Sequence, residues 1–322
     1  MRAVVVNRPG GPDALEVVRL PDPRPGPGEV LVDVAAAGVN FIDVYHRSGR
    51  YPLPTPFVPG QEGAGTVLAL GPGGTELAEG DVVAWANLSG SYADRVVLPA
   101  DRLVPIPAGV PAELAAAVLL QGMTAHYLTH DTYRVRSGDL VLVHAAAGGT
   151  GQLVTRFATR NGGRVVGTAS TAEKGHAARL AGAVEVVGYA DQEVLSAVRD
   201  LTDGVGAAAV YDGVGAPTFD TGLAALRPRG TLAVYGQSGG AVPPVDLQRL
   251  NAAGSVFVTR PNLAHHIADR AELLERAAAV FTLVRSTGID THVGRRFALD
   301  DVREAHRALE ARATVGKTLL VP

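Results

Sequence analysis

The chain reads as an α/β protein in two parts: a β-rich part first, then a doubly wound parallel sheet of six strands. Three observations predict it. Short apolar or alternating runs separated by Pro and Gly crowd the chain up to about Gln121; beyond it, strand and helix patterns alternate. In addition, residues 141–154 read as a buried strand entering a helix through a turn of small residues.

The early runs are 3–6, 15–20, 30–35, 65–70, 81–86 and 93–98. The Pro/Gly-rich stretch 21–28 lies between two of them, so it reads as a loop within a domain. Later strands are centred near Leu140, Val165, Glu185, Ala208, Leu232 and Val256. An amphipathic helix over 270–281, a second over 301–312 and a terminal strand over 317–321 are expected to rejoin the first part. The expected domains are 1–121, 122–261 and the return 262–322.

Composition narrows the function. The 322 residues suffice for two cores, and 47% hydrophobic with 19% charged residues is ordinary for a globular chain. A net charge of −3 gives no general attraction for nucleic acid or anionic lipid, and no basic cluster with interleaved aromatics suggests single-strand binding. Without cysteine there is no disulfide or thiolate metal site. With neither a signal-like apolar region nor an uninterrupted apolar span of about 18 residues, the cytoplasm is the expected location.

The turn after Asp139-Leu-Val-Leu-Val-His144 is Ala145-Ala-Ala-Gly-Gly-Thr-Gly151. Gly148, Gly149, Thr150 and Gly151 let backbone approach a pyrophosphate, whose charge the N–H groups of the new helix attract. The spacing departs from G-x-G-x-x-G, and such turns also serve simply to pack a helix on a sheet. The next strand ends at Ser170, without the carboxylate that would take a ribose 2′-hydroxyl. Ser170-Thr-Ala-Glu173 matches a capping box with Ser170 as N-cap. Lys174 is then a cation in a first helical turn, unfavourable unless an anion binds there. Ser170, Thr171 and Lys174 are therefore expected to hold the 2′-phosphate of NADP, the alternative being a solvated surface lysine.

The segments Gly38-Val-Asn-Phe-Ile-Asp-Val-Tyr45 with His46-Arg-Ser-Gly49, Ala145 to Gly151, Val258-Thr-Arg-Pro261 and Arg312-Ala-Thr-Val-Gly316 are individually weak and jointly specific. Together they resemble the zinc-independent quinone oxidoreductases, the zeta-crystallin-like group of the medium-chain dehydrogenase/reductase superfamily, over essentially the whole chain. The resemblance implies a GroES-like catalytic domain and a Rossmann domain with NADPH between them. It also implies the absence of catalytic zinc: Gly60-Gln-Glu62 stands where zinc alcohol dehydrogenases carry Gly-His-Glu. His265 and His266 are adjacent and point apart, which suits local hydrogen bonding better than a metal.

By the same resemblance the nicotinamide faces residues from Asn40 to Tyr45. Asn40, Asp43 and Tyr45 supply polar handles for positioning or polarising, beside apolar Phe41, Ile42 and Val44. Asn40 and Asp43 also suit the start of a helix. Thr124 and Tyr127 match family positions near the nicotinamide. At the strand ends, Tyr189 is matched to the adenine end, followed by Gly213 and Val214, then Gly236, Gln237 and Ser238, then Pro261, Asn262 and Leu263. Arg312 belongs to the closing Arg-Ala-Thr segment and is either a cation near the cofactor or a helix C-terminal cation.

A quinone suits such a site, because its reduced oxygens collect protons from water without a dedicated acid. An NADPH-dependent alkenal or enone reductase is the nearest alternative, and a non-catalytic NADPH- or RNA-binding protein is the alternative of another class. The apolar run 255–259, as the last strand of an open sheet, is expected to pair with a second copy.

Overall fold

The computed structural model describes residues 1–287 and 293–322. The chain forms two compact units, Met1–Leu120 with Ile267–Pro322, and Gln121–His266.

In the unit Gln121–His266 six parallel strands stand in the order Glu185–Val187, Arg164–Thr168, Leu140–Val143, Ala207–Asp212, Leu226–Val234 and Phe257–Thr259. In chain order this is 3-2-1-4-5-6, so the winding reverses between Leu140–Val143 and Ala207–Asp212. Both of these strands are buried throughout, which is why they read as continuous apolar runs rather than alternating ones. Leu142, Val166, Val210, Leu232, Phe219 and Leu223 share one core on a face of this sheet. Open sheets bind ligands at the carboxyl ends of the strands where the winding reverses.

The other unit holds a sheet ordered Val293–Ala298, Lys317–Val321, Glu29–Val39, Glu62–Leu70, Val82–Ala86 and Val104–Pro105, with Arg95–Pro99 also paired to Glu29–Val39. Arg2–Val6 and Leu15–Arg19 form a separate antiparallel pair. Val32, Val67, Val83 and Trp85 fill one core, and Val4, Val39, Tyr92, Leu299, Val302 and Leu320 another. The terminal strand lies antiparallel to Glu29–Val39, with Thr318 opposite Val39 and Leu319 opposite Gly38. That register seats Lys317 beside the end of Glu29–Val39, where the helix Phe41–Arg47 begins. The helices expected over 270–281 and 301–312 are Arg270–Thr287 and Val302–Glu310.

Candidate active site

The glycine-rich turn is tied to both neighbouring strands. The N–H of His144 bonds to Tyr211 O at 3.0 Å, while the N–H groups of Ala145 and Ala146 bond to the hydroxyl and carbonyl of Thr168, both at 3.1 Å. Ala145 takes the left-handed conformation at φ 53°, which turns the chain sharply out of the sheet. The helix Gly149–Arg160 follows at once. A Cβ on Gly151 would collide with the carbonyl oxygen of Ala145 and the Cα of Ala146, so only glycine lets the helix enter this close to the turn. The N–H groups of its first turn lack intrahelical acceptors, as at every helix start, and carry its positive dipole end. This cradle fits a pyrophosphate.

Beyond the next strand, Ser170, Thr171 and Lys174 come together: Lys174 Nζ lies 3.4 Å from Ser170 Oγ, and the Lys174 N–H donates to Thr171 Oγ1 at 3.2 Å. The expected capping box is corrected here. Thr171, not Ser170, is the N-cap of Ala172–Leu180, because Thr171 is the last extended residue and its hydroxyl reaches the third helical N–H. Ser170 is thereby released to face Lys174.

At the fourth strand end the buried Asp212 accepts from Val214 N–H at 2.7 Å, Gly215 N–H at 3.1 Å and Thr218 Oγ1 at 2.9 Å. This fixes Gly213 and Val214 in a tight loop, and Gly236 packs on it so closely that a Cβ would stand 2.5 Å from Gly213 O. The N–H and Oγ of Ser238 both donate to Gly213 O, while Gln237 packs beside Gly215. Tyr189 is exposed. After the sixth strand, Asn262 Oδ1 accepts from Ala264 N–H at 3.1 Å beside Pro261, and Leu263 is buried. Thr124 and Tyr127 lie on the helix Ala112–Tyr127; both are buried, and the Tyr127 ring stacks on His266 at 4.0 Å. His266 Nδ1 also lies 3.7 Å from a carboxylate oxygen of Asp131.

In the other unit the helix Phe41–Arg47 starts at Asn40, and its contacts revise the reading of that segment. The Asn40 amide is turned inward. Its Oδ1 accepts from Lys317 Nζ at 2.7 Å, and its Nδ2 donates to Glu62 Oε2 and Gly38 O, each at 3.2 Å. Lys317 Nζ also donates to Glu62 Oε2 at 2.6 Å, and Glu62 Oε1 accepts from Leu120 N–H at 2.7 Å. A Cβ on Gly38 would strike both Glu62 and Lys317, so the clasp closes only over glycine. Burial lowers the Lys317 pKa, and the neighbouring Glu62 carboxylate opposes that.

Asp43 is likewise a correction: it is fully buried and offers no handle to a ring. Its Oδ2 accepts from Asn40 N–H at 2.8 Å and Tyr92 OH at 3.0 Å, and its Oδ1 from Gln61 N–H at 3.1 Å. Asp43 thus ties Asn40 to the Gly60-Gln-Glu62 segment as a positioning residue. Burial pushes its carboxyl up to about 7 against the hydrogen bonds from Asn40 and Tyr92. Tyr92 OH lies 3.3 Å from His306 Nε2, and Arg47 bridges His306 Nδ1 at 3.0 Å to Glu310 at 2.7 Å. Burial and the nearby Arg47 hold His306 down to about 3.

Up to Tyr45 the rest of the helix is apolar and aromatic, with Tyr45 itself buried. Phe41 and Ile42 are half-buried, Val44 is buried, and Tyr45 packs between Phe41 at 6.2 Å and Tyr51 at 5.2 Å. Arg312 sits just past the helix Val302–Glu310 at φ 55°, its N–H bonded to Leu309 O at 3.0 Å: the helix-terminal position. Lys317, Tyr92, His306 and Tyr51 escaped the sequence reading. For Lys317 one signal was present, a lysine opening an otherwise apolar terminal strand.

A parallel six-stranded sheet with a glycine-cradled turn, in a chain that also folds a β-rich unit, is the plan of the nucleotide-dependent dehydrogenases. Family models described as zinc-binding dehydrogenase and alcohol dehydrogenase GroES-like domain match residues 149–277 and 26–108. The chain is 42% identical to a quinone oxidoreductase of Pseudomonas aeruginosa over 97% of both chains, and 37% identical to a 2-haloacrylate reductase of a Burkholderia species over 99% of this chain and 98% of that one. Among solved structures, the mycobacterial protein Rv1454c complexed with NADPH superposes with a TM-score of 0.96 at 49% identity, covering all of both chains. The chain belongs to the quinone oxidoreductase family of medium-chain dehydrogenases/reductases.

Proposed function

We propose that this protein is an NADPH-dependent quinone reductase that works without metal. The observation that carries the reading is the combination of the Gly151 cradle with Ser170, Thr171 and Lys174 at the next strand end, where a 2′-phosphate meets a cation and two hydroxyls. Gly148, Gly149 and Thr150 complete the pyrophosphate turn, and the later strand-end loops line the same edge of the sheet. The NADPH complex of the structural relative supports the cofactor.

Bound NADPH supplies the reducing equivalents. The Lys317–Glu62 pair and Asp43 hold Asn40 and the start of the helix Phe41–Arg47 rigid, so that Tyr45 and Phe41 present a fixed, largely apolar wall to a planar acceptor. Neither Asn40 nor Asp43 transfers a proton, because their polar atoms are spent on buried partners; water protonates the reduced quinone oxygens. Gln61 replaces the zinc-ligand histidine, and the described residues contain no cluster of three or more metal-ligating side chains.

Reduction of an activated carbon–carbon double bond is the second reading, favoured by the 2-haloacrylate reductase relative. One set of assays separates them. Protein dialysed against a chelator is expected to oxidise NADPH with a quinone panel faster than with an enone panel, and Lys174→Ala is expected to raise KM for NADPH about tenfold with little change for NADH. Turnover restricted to enones, loss of turnover on zinc removal, or an unchanged cofactor preference would each overturn the corresponding part.

The edge strand Phe257–Thr259, with Phe257 exposed at 62%, supports pairing with a second copy. Light scattering is expected to give a dimer, and a monomer at working concentration refutes it.

A further inference from the structure

We propose that His144 is a positioning residue for the cofactor: its Nδ1 takes the Thr168 hydroxyl proton and so fixes the Thr168 oxygen on the Ala145 N–H, where the chain turns out of the sheet. The inference rests on the reading of residues 145–151 as the pyrophosphate turn and adds a residue that sets its shape.

His144 follows the strand Leu140–Val143 at 1% exposure, and its Nδ1 lies 3.2 Å from Thr168 Oγ1. The same oxygen accepts from Ala145 N–H at 3.1 Å. Thr168 is buried as well, and its hydroxyl has no other hydrogen-bond partner among the described residues. It has one proton to give. With the imidazole protonated at Nε2, Nδ1 receives that proton and both contacts of the hydroxyl are used. With the imidazole protonated at Nδ1, Thr168 accepts twice and its own buried proton is stranded. Nε2 is buried without a hydrogen-bond partner among the described residues, 3.7 Å from where a Cβ on Gly222 would stand. The first tautomer therefore leaves one group unpaired, and the second leaves two. Burial lowers the His144 pKa, against the Asp212 carboxylate, which keeps the ring neutral and its Nδ1 lone pair available.

The hydroxyl matters because of what it holds. Ala145 stands at φ 53°, a conformation that costs an L-residue energy, and the bonds from Ala145 and Ala146 to Thr168 keep it there. Gly151 packs on the Ala145 carbonyl, so a shift at Ala145 moves the first turn of the helix and its phosphate-binding N–H groups.

Two measurements test this. In cofactor-free protein labelled with nitrogen-15 at histidine, the His144 signals, assigned by their loss in His144→Asn, are expected to show a bare Nδ1 and a protonated Nε2. A protonated Nδ1 overturns the proposal. Calorimetry then compares NADPH with 2′-AMP, which carries adenosine and a 2′-phosphate but no pyrophosphate. His144→Leu removes the acceptor at similar size and is expected to weaken NADPH about threefold to tenfold, as loss of one hydrogen bond does, while 2′-AMP stays within about twofold of wild type. His144→Asn sets an amide oxygen where Nδ1 stood and is expected to restore NADPH affinity. In a Thr168→Val background, His144→Leu is expected to cost nothing further. Unchanged NADPH affinity in His144→Leu, equal losses for both nucleotides, no rescue by His144→Asn, or additive losses would each overturn it. Wild-type protein that takes up no NADPH overturns the pyrophosphate reading, and the proposal with it.

Discussion

Glu62→Gln is expected to destabilise the protein by about 3–5 kcal/mol, the usual cost of leaving one partner of a buried ion pair behind. Lys317 and Glu62 are both buried and lie 2.6 Å apart. A glutamine amide offers donors where Lys317 Nζ and Asn40 Nδ2 already donate; turned over, it abandons the N–H of Leu120 instead. Lys317 also loses the carboxylate that opposes the lowering of its pKa by burial. In the variant the unfolded chain then binds a proton that the native state gives up, so stability rises with pH toward the ordinary lysine range. Urea unfolding checks both the size and this slope. The double variant Glu62→Gln/Lys317→Met removes both charges and is expected to recover most of the loss. Equal damage in the single and double variants would show that shape, not charge, dominates this clasp.

Asp43 and His306 are expected to write opposite slopes into the pH dependence of stability. With its folded value raised from 3.8 to about 7, Asp43 keeps a proton that the unfolded chain has released, so its contribution is full at low pH and lost as pH rises through that window. His306, lowered from 6.5 to about 3, stays neutral when the unfolded chain takes a proton, so its contribution falls as pH drops below 6.5. Between roughly pH 4 and 6.5 the two nearly cancel, since each carries up to about 1.4 kcal/mol per pH unit with opposite sign. Removing either group exposes the other. The stability of Asp43→Asn relative to wild type is expected to climb from pH 4 to 7, and that of His306→Gln to fall from pH 4 to 6.5. Urea unfolding at half-unit pH steps gives both difference curves, in which the unaltered groups drop out. A flat Asp43→Asn curve would mean that the three donors on Asp43 hold it ionised throughout.

Much of the architecture was legible because its signals are local. Apolar runs of strand length, Pro/Gly punctuation and the small-residue turn at 145–151 each act over a few residues, and the strands and helices they predict are present. Motif resemblance singled out the segment from Asn40 to Tyr45, but not the direction in which Asn40 points. The cap at Ser170 went astray by one residue, because two neighbouring hydroxyls satisfy the same pattern and only backbone conformation decides between them.

The order of residues by itself therefore determined the two-part α/β plan, the nucleotide turn and the lack of a histidine at the family's metal position. Tertiary structure alone decided which polar groups are consumed inside the fold. Lys317 reaches Asn40 and Glu62 across 277 and 255 positions, and His306 reaches Tyr92 across 214. No periodicity spans such separations: the cost of burying a charge selects its partner only when distant strands have closed around it.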